Sequence, residues 1–318
     1  MEDYNKIVES LIVRYEYSAK SSVNAPLQVE NIYDINNNVI LVHRGTIFFG
    51  EKKQAVEAGE VLFIPAGWNL NNLVLGTGPE VKHVSQEEFY TQRERYLTPF
   101  HEEEGAKVVI SWVAFDAKVY DSINFFKSLE LPAFVLKDDI LKHDIELLVE
   151  ERSQARLGKE RLTNILIEKI NLAILRYIID NKLFVERLAT NSAYFSDSRL
   201  MQMFNYIKEN LADDLSNKVL ATIAGVSEDY VGQYFKMLTG MNPQDYIEYQ
   251  RMEEAVKLLR TSRKSIRAIG IEIGYKDTAY FCRRFKMMFG VPAGKMRKRS
   301  SLMNVKRNAR MEASQMQR

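Results

Sequence analysis

A stretch near the C-terminus occurs twice, 50 residues apart, and limits what that region can fold into. The first copy runs Ala224-Gly-Val-Ser, then Tyr230-Val-Gly-Gln-Tyr-Phe-Lys-Met-Leu-Thr-Gly240, with Pro243 beyond it. The second runs Ile273-Gly-Tyr-Lys-Asp, then Tyr280-Phe-Cys-Arg-Arg-Phe-Lys-Met-Met-Phe-Gly290, with Pro292 beyond it. Phe235-Lys236-Met237 and Gly240 thus return as Phe285-Lys286-Met287 and Gly290. Each copy predicts a helix, a tight glycine turn and a second amphipathic helix, the helix-turn-helix plan. Two such units at a suitable spacing can present two recognition helices to successive major grooves of double-stranded DNA.

Charge points the same way. The net charge of +2 on 318 residues hides an asymmetry. From Ser198 to Arg318 there are 22 Lys/Arg against 12 Asp/Glu, while the preceding 197 residues hold 22 against 30. A basic C-terminal third on an acidic N-terminal part fits a polyanion-binding module joined to something else. The N-terminus is polar and no run of 18 apolar residues occurs, so neither a signal peptide nor a membrane span is expected. Cys282, the one cysteine, excludes an intrachain disulfide and fits a cytoplasmic location.

Residue types assign roles within each copy. In the first, a short helix from Leu215-Ser216 through Val219, Leu220 and Ile223 precedes the Gly225 turn, and Ser227 stands where an N-cap belongs. Tyr230, Val231, Tyr234 and Phe235 are expected to pack inward, leaving Asp229, Gln233 and Lys236 outside. In the second, Ile266, Ile269 and Ile273 form the packing helix, Gly274 the turn and Asp277 the N-cap. Phe281 and Phe285 pack inward; Thr278, Cys282, Arg283 and Lys286 face out. Arg283 is the leading base reader, because a guanidinium can bond guanine O6 and N7 together. Between the copies, 243–260 reads as one helix with Tyr246, Ile247, Ala255, Leu258 and Leu259 facing both lobes. Its ~27 Å length compares with the ~34 Å of one DNA turn.

The N-terminal part reads differently. From about Val29 to Phe115, runs such as Val39–Val42, Thr46–Phe49, Val61–Ile64 and Val108–Val113 alternate with Gly, Asn or Pro, which predicts a β-sandwich or barrel. Glu87 to Glu104 interrupts the pattern and predicts an inserted helix or lid. From Leu141 to Asn181 the period becomes helical. Ile145, Leu148 and Val149 mark one face; Ile165, Leu166, Ile170, Ile174, Leu175 and Ile178 mark another, with a turn near Arg156–Lys159. This hairpin either covers the β-domain or forms a dimer interface. The expected boundaries are 1–190 for the first domain, 191–298 for the second, and a disordered basic tail over 299–318.

From about Met201 to Arg297 the chain resembles the C-terminal domain of AraC/XylS-type transcription regulators. The resemblance rests on Ala224-Gly-Val-Ser, Phe235-Lys236, Gly240, Arg251 with Ala255 and Leu258-Leu259, Ile273-Gly-Tyr, Tyr280-Phe-x-Arg-x-Phe-Lys, and Phe289-Gly-Val-Pro292. It implies base-reading positions at Asp229, Gly232 and Gln233 in the first recognition helix, and at Thr278, Ala279, Cys282 and Arg283 in the second. Gly232 has no side chain and Asp229 repels phosphate, so the first helix is expected to read sequence weakly or through DNA shape.

Gly45 and the run Gly59-Glu-Val-Leu-Phe-Ile-Pro65-Ala-Gly67-Trp68 resemble the motifs of cupin barrels. Such a domain ahead of this DNA-binding module is the family's usual arrangement, where it senses an effector. Cupin enzymes carry metal-ligating histidines near these glycines. Here Leu70 stands at one such position, only His43 precedes Gly45, and no His-x-His occurs, so no metal or other cofactor is expected. A small-molecule effector in the barrel would meet His43, Phe48, Phe63, Trp68 or Trp112.

The fold expected is therefore α+β in two domains: a cupin-like β-barrel with a helical hairpin, and an all-α domain with two helix-turn-helix units. The function expected is transcription regulation switched by a small molecule, with double-stranded DNA, a second copy of the chain and RNA polymerase as partners. The alternatives are a cupin-like enzyme and a constitutive DNA-binding protein with no effector.

Overall fold

The computed structural model describes residues 8–9, 11–99, 107–119, 123–129, 131–183, 197–239, 241–289 and 292–297. Of the segment 191–198, expected as a linker or N-cap segment, residues 191–196 lie outside the described residues, as do the tail from Arg299, Gly240 and Gly290. Two compact units divide the chain, Met1–Asp197 and Ser198–Arg318.

The N-terminal unit is built on strands β1 (Leu11–Val23), β2 (Leu27–Tyr33), β3 (Asn37–Arg44), β4 (Ile47–Phe49), β5 (Gln54–Val56) and β6 (Val61–Ile64). There follow β7 (Asn69–Leu75), β8 (Lys82–Ser85), β9 (Leu97–Pro99), β10 (Val109–Val119), β11 (Ile123–Asn124) and β12 (Phe134–Leu136). Among the described residues one sheet runs β12-β6-β3-β10-β1-β9, with β11 beside β10, and the other runs β5-β4-β7-β2-β8. Pairing is antiparallel except between β2 and β8. The β-region starts earlier than expected, because β1 begins at Leu11 and pairs along β10 from Leu11 opposite Val119 to Ser22 opposite Val109. A bulge between Tyr15 and Tyr17 shifts its alternation midway, which weakens the period-2 signal.

Side-chain alternation gives the larger sheet two buried faces. Ile40, Val42, Leu62, Ile64, Ile110 and Trp112 turn toward Leu27, Val29, Leu73 and Leu75 of the second sheet, enclosing one apolar interior. Their neighbours Val39, Leu41, Val61, Phe63, Val113 and Phe115 turn the other way, against a helical hairpin. Each such side chain, fully buried, contributes roughly 1.5–3 kcal/mol.

Helices α1 (Gln86–Thr91) and α2 (Arg93–Tyr96) fill the place of the expected insertion, and β9 follows directly. They do not form a loose lid: Phe89 and Tyr96 are buried and stack at 6.3 Å, and Phe89 stacks on Trp112 at 6.2 Å. A short helix, α3 (Phe125–Ser128), supplies Phe125 and Phe126 to the outer core. The hairpin is α4 (Asp139–Ser153) and α5 (Lys159–Asp180). Asp138 caps α4 by accepting from the Leu141 amide at 2.8 Å. The hairpin covers the sheet through Leu141, Ile145, Leu148, Leu166, Ile167, Ile170, Ile174 and Ile178. Ile165 is an exception to the expected face. It is 48% exposed, because the buried stripe of α5 runs one residue further round.

The C-terminal unit contains α6 (Ser198–Glu209), α7 (Asn217–Ala224), α8 (Glu228–Thr239), α9 (Pro243–Thr261), α10 (Ile266–Glu272) and α11 (Thr278–Phe289). Phe204, Phe235 and Tyr246 form one aromatic core, with centroids 4.9–5.6 Å apart. Phe281, Phe285 and Phe289 form a second along α11. The connecting helix α9 starts at Pro243 as expected, with Asn242 capping it from the Asp245 amide. It buries Tyr246, Ile247, Met252, Ala255, Val256 and Leu259, while Leu258 is only half-buried.

Candidate nucleic-acid interface

Helices α7 and α8 form the first helix-turn-helix. Ser216 precedes α7, and Gly225 closes it at φ +63°, a left-handed conformation that costs glycine little. Val231, Tyr234 and Phe235 of α8 pack inward. Tyr230 does not: it is 41% exposed, so the buried stripe is narrower than the sequence suggested. Asp229, Gln233 and Lys236 are exposed, and Gly232 is half-buried beside Asn217. The outer row therefore offers a carboxylate, an amide and one cation.

Helices α10 and α11 form the second. Ser265 caps α10 from the Ala268 amide. Asp277 caps α11, its Oδ1 accepting from the Ala279 amide at 2.6 Å and the Tyr280 amide at 3.0 Å. Those amides hold its carboxyl below the usual aspartate range. Phe281 and Phe285 are buried, as expected. Ala279, Arg283 and Lys286 are exposed, and Thr278 and Cys282 half-buried at the margin. Tyr280 is exposed at the position matching Tyr230, so an aromatic ring stands on the outside of both recognition helices. The repetition of tyrosine at this offset was the available signal; its helical phase beside two buried aromatics masked it.

Arg283 projects from α11, while its neighbour Arg284 turns back to pair with Glu248 of α9 through Nε and Nη2. Adjacent arginines thus take opposite roles. One is left outside with its donors available, and the other ties the recognition helix to the connector.

In the N-terminal unit the five residues expected around an effector do not come together. Trp112 alone turns into the interior between the sheets, where its Nε1 donates to Asn38 Oδ1 at 2.8 Å. Phe63 faces the helices and makes edge contacts with Phe126 and Phe134 at 4.9 and 5.4 Å. The one-residue alternation that puts Leu62 inside puts Phe63 outside. Phe48 lies out of phase with the interior residues Ile47 and Phe49 in the same way. Trp68 sits at the Pro65–Gly67 turn, 37% exposed. His43 is also on the helix side, its Nε2 2.7 Å from Ser111 Oγ and its Nδ1 3.5 Å from Glu146 of α4. Burial, and then Lys20 and Lys142, push its pKa down to about 4. Arg93 lies over the rings of Tyr17 at 4.7 Å and Trp112 at 5.5 Å, a feature composition did not reveal.

No described helix is long and apolar enough to cross a membrane. Residues 220–299 match the profile of a helix-turn-helix domain family. The regulatory protein PocR of Salmonella typhimurium is 28% identical over 178 residues, which cover 53% of this chain and 59% of that protein. An uncharacterised HTH-type transcriptional regulator of Haemophilus influenzae is 27% identical over 158 residues, 50% of this chain and 52% of its own length. The arabinose operon regulatory protein of Escherichia coli is 32% identical over 104 residues, 32% of this chain and 35% of its own length. The chain thus spans little more than half the length of the first two relatives. An apo point variant of ToxT from Vibrio cholerae aligns over 91% of this chain and 97% of its own, with 12% identity and a TM-score of 0.49. Two helix-turn-helix pairs joined by one helix, in the part of the chain that this domain family matches, identify the C-terminal unit as an AraC-type helix-turn-helix domain.

Proposed function

We propose that the protein regulates transcription in the cytoplasm by reading two short DNA blocks, one with α8 and one with α11, and that it is not an enzyme. The observation that carries this is the pair of outward rows on repeated recognition helices, Asp229-Gly232-Gln233-Lys236 and Thr278-Ala279-Cys282-Arg283-Lys286. A connector of 19 residues rises about 28 Å, close to the ~34 Å between adjacent major-groove sites. Most sequence discrimination falls to α11, where Arg283 has the geometry for guanine and small neighbours let the helix approach. In α8 the acidic first turn and Gly232 favour reading of shape. Arg283→Ala is expected to lose ~1–3 kcal/mol on its preferred site and to relax specificity at one position. Equal affinity of wild type and variant on that site would refute the assignment.

The chain acts as a homodimer in this reading, with RNA polymerase as a partner at the promoter. The outer face of α5 supports the dimer. Ile165, Leu172 and Ile179 recur at seven-residue intervals, leave side chains partly or largely exposed, and lie beside Glu168 and Arg176. An antiparallel pair of α5 helices centred on Leu172 sets Ile165 opposite Ile179 and Glu168 opposite Arg176 of a second copy.

A small-molecule effector in the N-terminal unit would act by favouring one placement of the two DNA-binding domains over another. A constitutive regulator is the second reading, and one observation favours it: Phe89 and Trp112 fill the space between the sheets where an effector would sit. DNA affinity, footprint and promoter output measured with and without candidate small molecules separate the two. Identical behaviour throughout supports the constitutive protein.

A further inference from the structure

Where the two helix-turn-helix lobes meet in the C-terminal unit, an arginine of the connecting helix spans the junction. Arg251, on α9, donates from Nε to the Leu211 carbonyl at 2.9 Å and from Nη2 to the Asp213 carbonyl at 3.1 Å. Both carbonyls belong to the segment between α6 and α7, on the side of the first lobe. The same guanidinium lies over the ring of Tyr275, 5.9 Å from its centroid, in the turn of the second lobe. Tyr275 in turn donates its hydroxyl to Glu248 Oε1 at 3.4 Å, and Glu248 holds Arg284 of α11. Polar contacts therefore run without a break from the front of the first lobe, through the connector, to the second recognition helix.

The backbone is fitted closely around this point. Gly274 has φ +91°, and a methyl group there would lie 2.6 Å from the Leu211 carbonyl oxygen and 2.8 Å from Arg251 Nη2. No side chain fits between the turn of the second lobe and the loop of the first. Glycine is required both for the conformation and for the approach. A guanidinium suits such a junction, because its planar fork can serve two carbonyls while its face covers a ring; an ammonium lacks the rigid planar fork that holds both arrangements at once.

We propose that Arg251 is a positioning residue that sets the angle between the two helix-turn-helix lobes, and through it the spacing of DNA blocks the protein accepts. The spacing consequence rests on the DNA-reading function proposed above; the angle does not. Arg251 lies on the connector rather than in either recognition row, so its loss acts on how the two helices are phased rather than on what each one reads.

The test begins without DNA. Met237 and Met287 are exposed near the ends of α8 and α11; in full-length protein carrying Cys282→Ser, both are changed to cysteine and spin-labelled. The expected distance distribution is narrow with Arg251 in place and broadens about twofold in Arg251→Gln, with Arg251→Lys between them. A narrow, unmoved distribution in Arg251→Gln that retains native helicity overturns the proposal. Should Arg251→Gln fail to fold, Arg251→Lys decides, and a distribution identical to the parent's overturns it.

The second arm uses unlabelled protein with native Met237, Met287 and Cys282, on duplexes carrying both blocks at varied spacing. The parent is expected to lose ~10-fold in affinity when the spacer changes by half a turn, and Arg251→Gln to stay within ~3-fold across the series. Affinity for a single block stays unchanged in both. An Arg251→Gln profile as sharp as the parent's overturns the proposal. Broadened distances with no sequence preference in the parent would support the clamp and overturn the DNA-reading function instead.

Discussion

Arg283 and Lys286 stand one helical turn apart on the same recognition helix, yet their expected contributions differ in kind. Arg283 offers a bidentate fork for a guanine edge, whereas Lys286 offers a point charge to phosphate. Lys286→Ala should weaken binding evenly across sequences and reduce the slope of log affinity against log salt by about one. A salt slope unchanged from wild type would place Lys286 off the DNA. His43 should make the stability of the N-terminal unit depend on pH. Its neutral form is favoured in the fold, so wild-type stability should hold above pH ~6.5. It should fall as the pH drops toward about 4, because the unfolded chain takes up the proton first. The loss attributable to His43 is on the order of 1–3 kcal/mol, measured as the difference in melting between wild type and His43→Gln over that range. Parallel curves for the two proteins would contradict the burial argument.

At the scale of elements, caps and turns determine where the recognition helices start and point. Asp277→Ala removes an acceptor from two amides of α11 and should cost ~1 kcal/mol of stability, read by denaturant unfolding. It should also lower DNA affinity, even though removing a negative charge beside a polyanion would by itself raise it. The interior aromatics give a larger effect. Phe89→Ala should destabilise the N-terminal unit by ~3–5 kcal/mol while leaving the helices of the C-terminal unit intact. Retained melting of the first unit would show that Phe89 is not the plug its stacking on Trp112 indicates. These elements were unevenly legible in the sequence. The long helix from Pro243, the Gly225 turn and the Asp277 cap follow from local chemistry, and sequence alone placed them. Phe63, Phe48 and His43 belong to strands whose existence is legible but whose facing is not. A shift of one residue exchanges interior for exterior, and which face meets the second sheet is a tertiary fact. The Arg251 junction joins residues 40 positions apart, from Leu211 to Arg251, and no local pattern predicts it.

At the scale of the whole molecule, an acidic N-terminal unit and a basic helix-turn-helix unit sit on one chain, and the helices proposed to dimerise lie in the first. Reversing one charge, as Glu168→Arg, should weaken self-association by placing like charges together in the antiparallel pair. Adding Arg176→Glu should restore it, as read by sedimentation equilibrium. Restoration failing while the monomer stays folded would exclude that register. The expectations for DNA binding depend on paired reading of DNA by two repeated units. Selection of bound sequences from a random duplex pool, with full-length protein at stated salt, tests it most directly. Enrichment of two short blocks about one helical turn apart is expected, with a guanine in the block assigned to α11. Recovery of no motif, with affinity that collapses uniformly as salt rises, would contradict paired reading and leave only electrostatic attraction to phosphate.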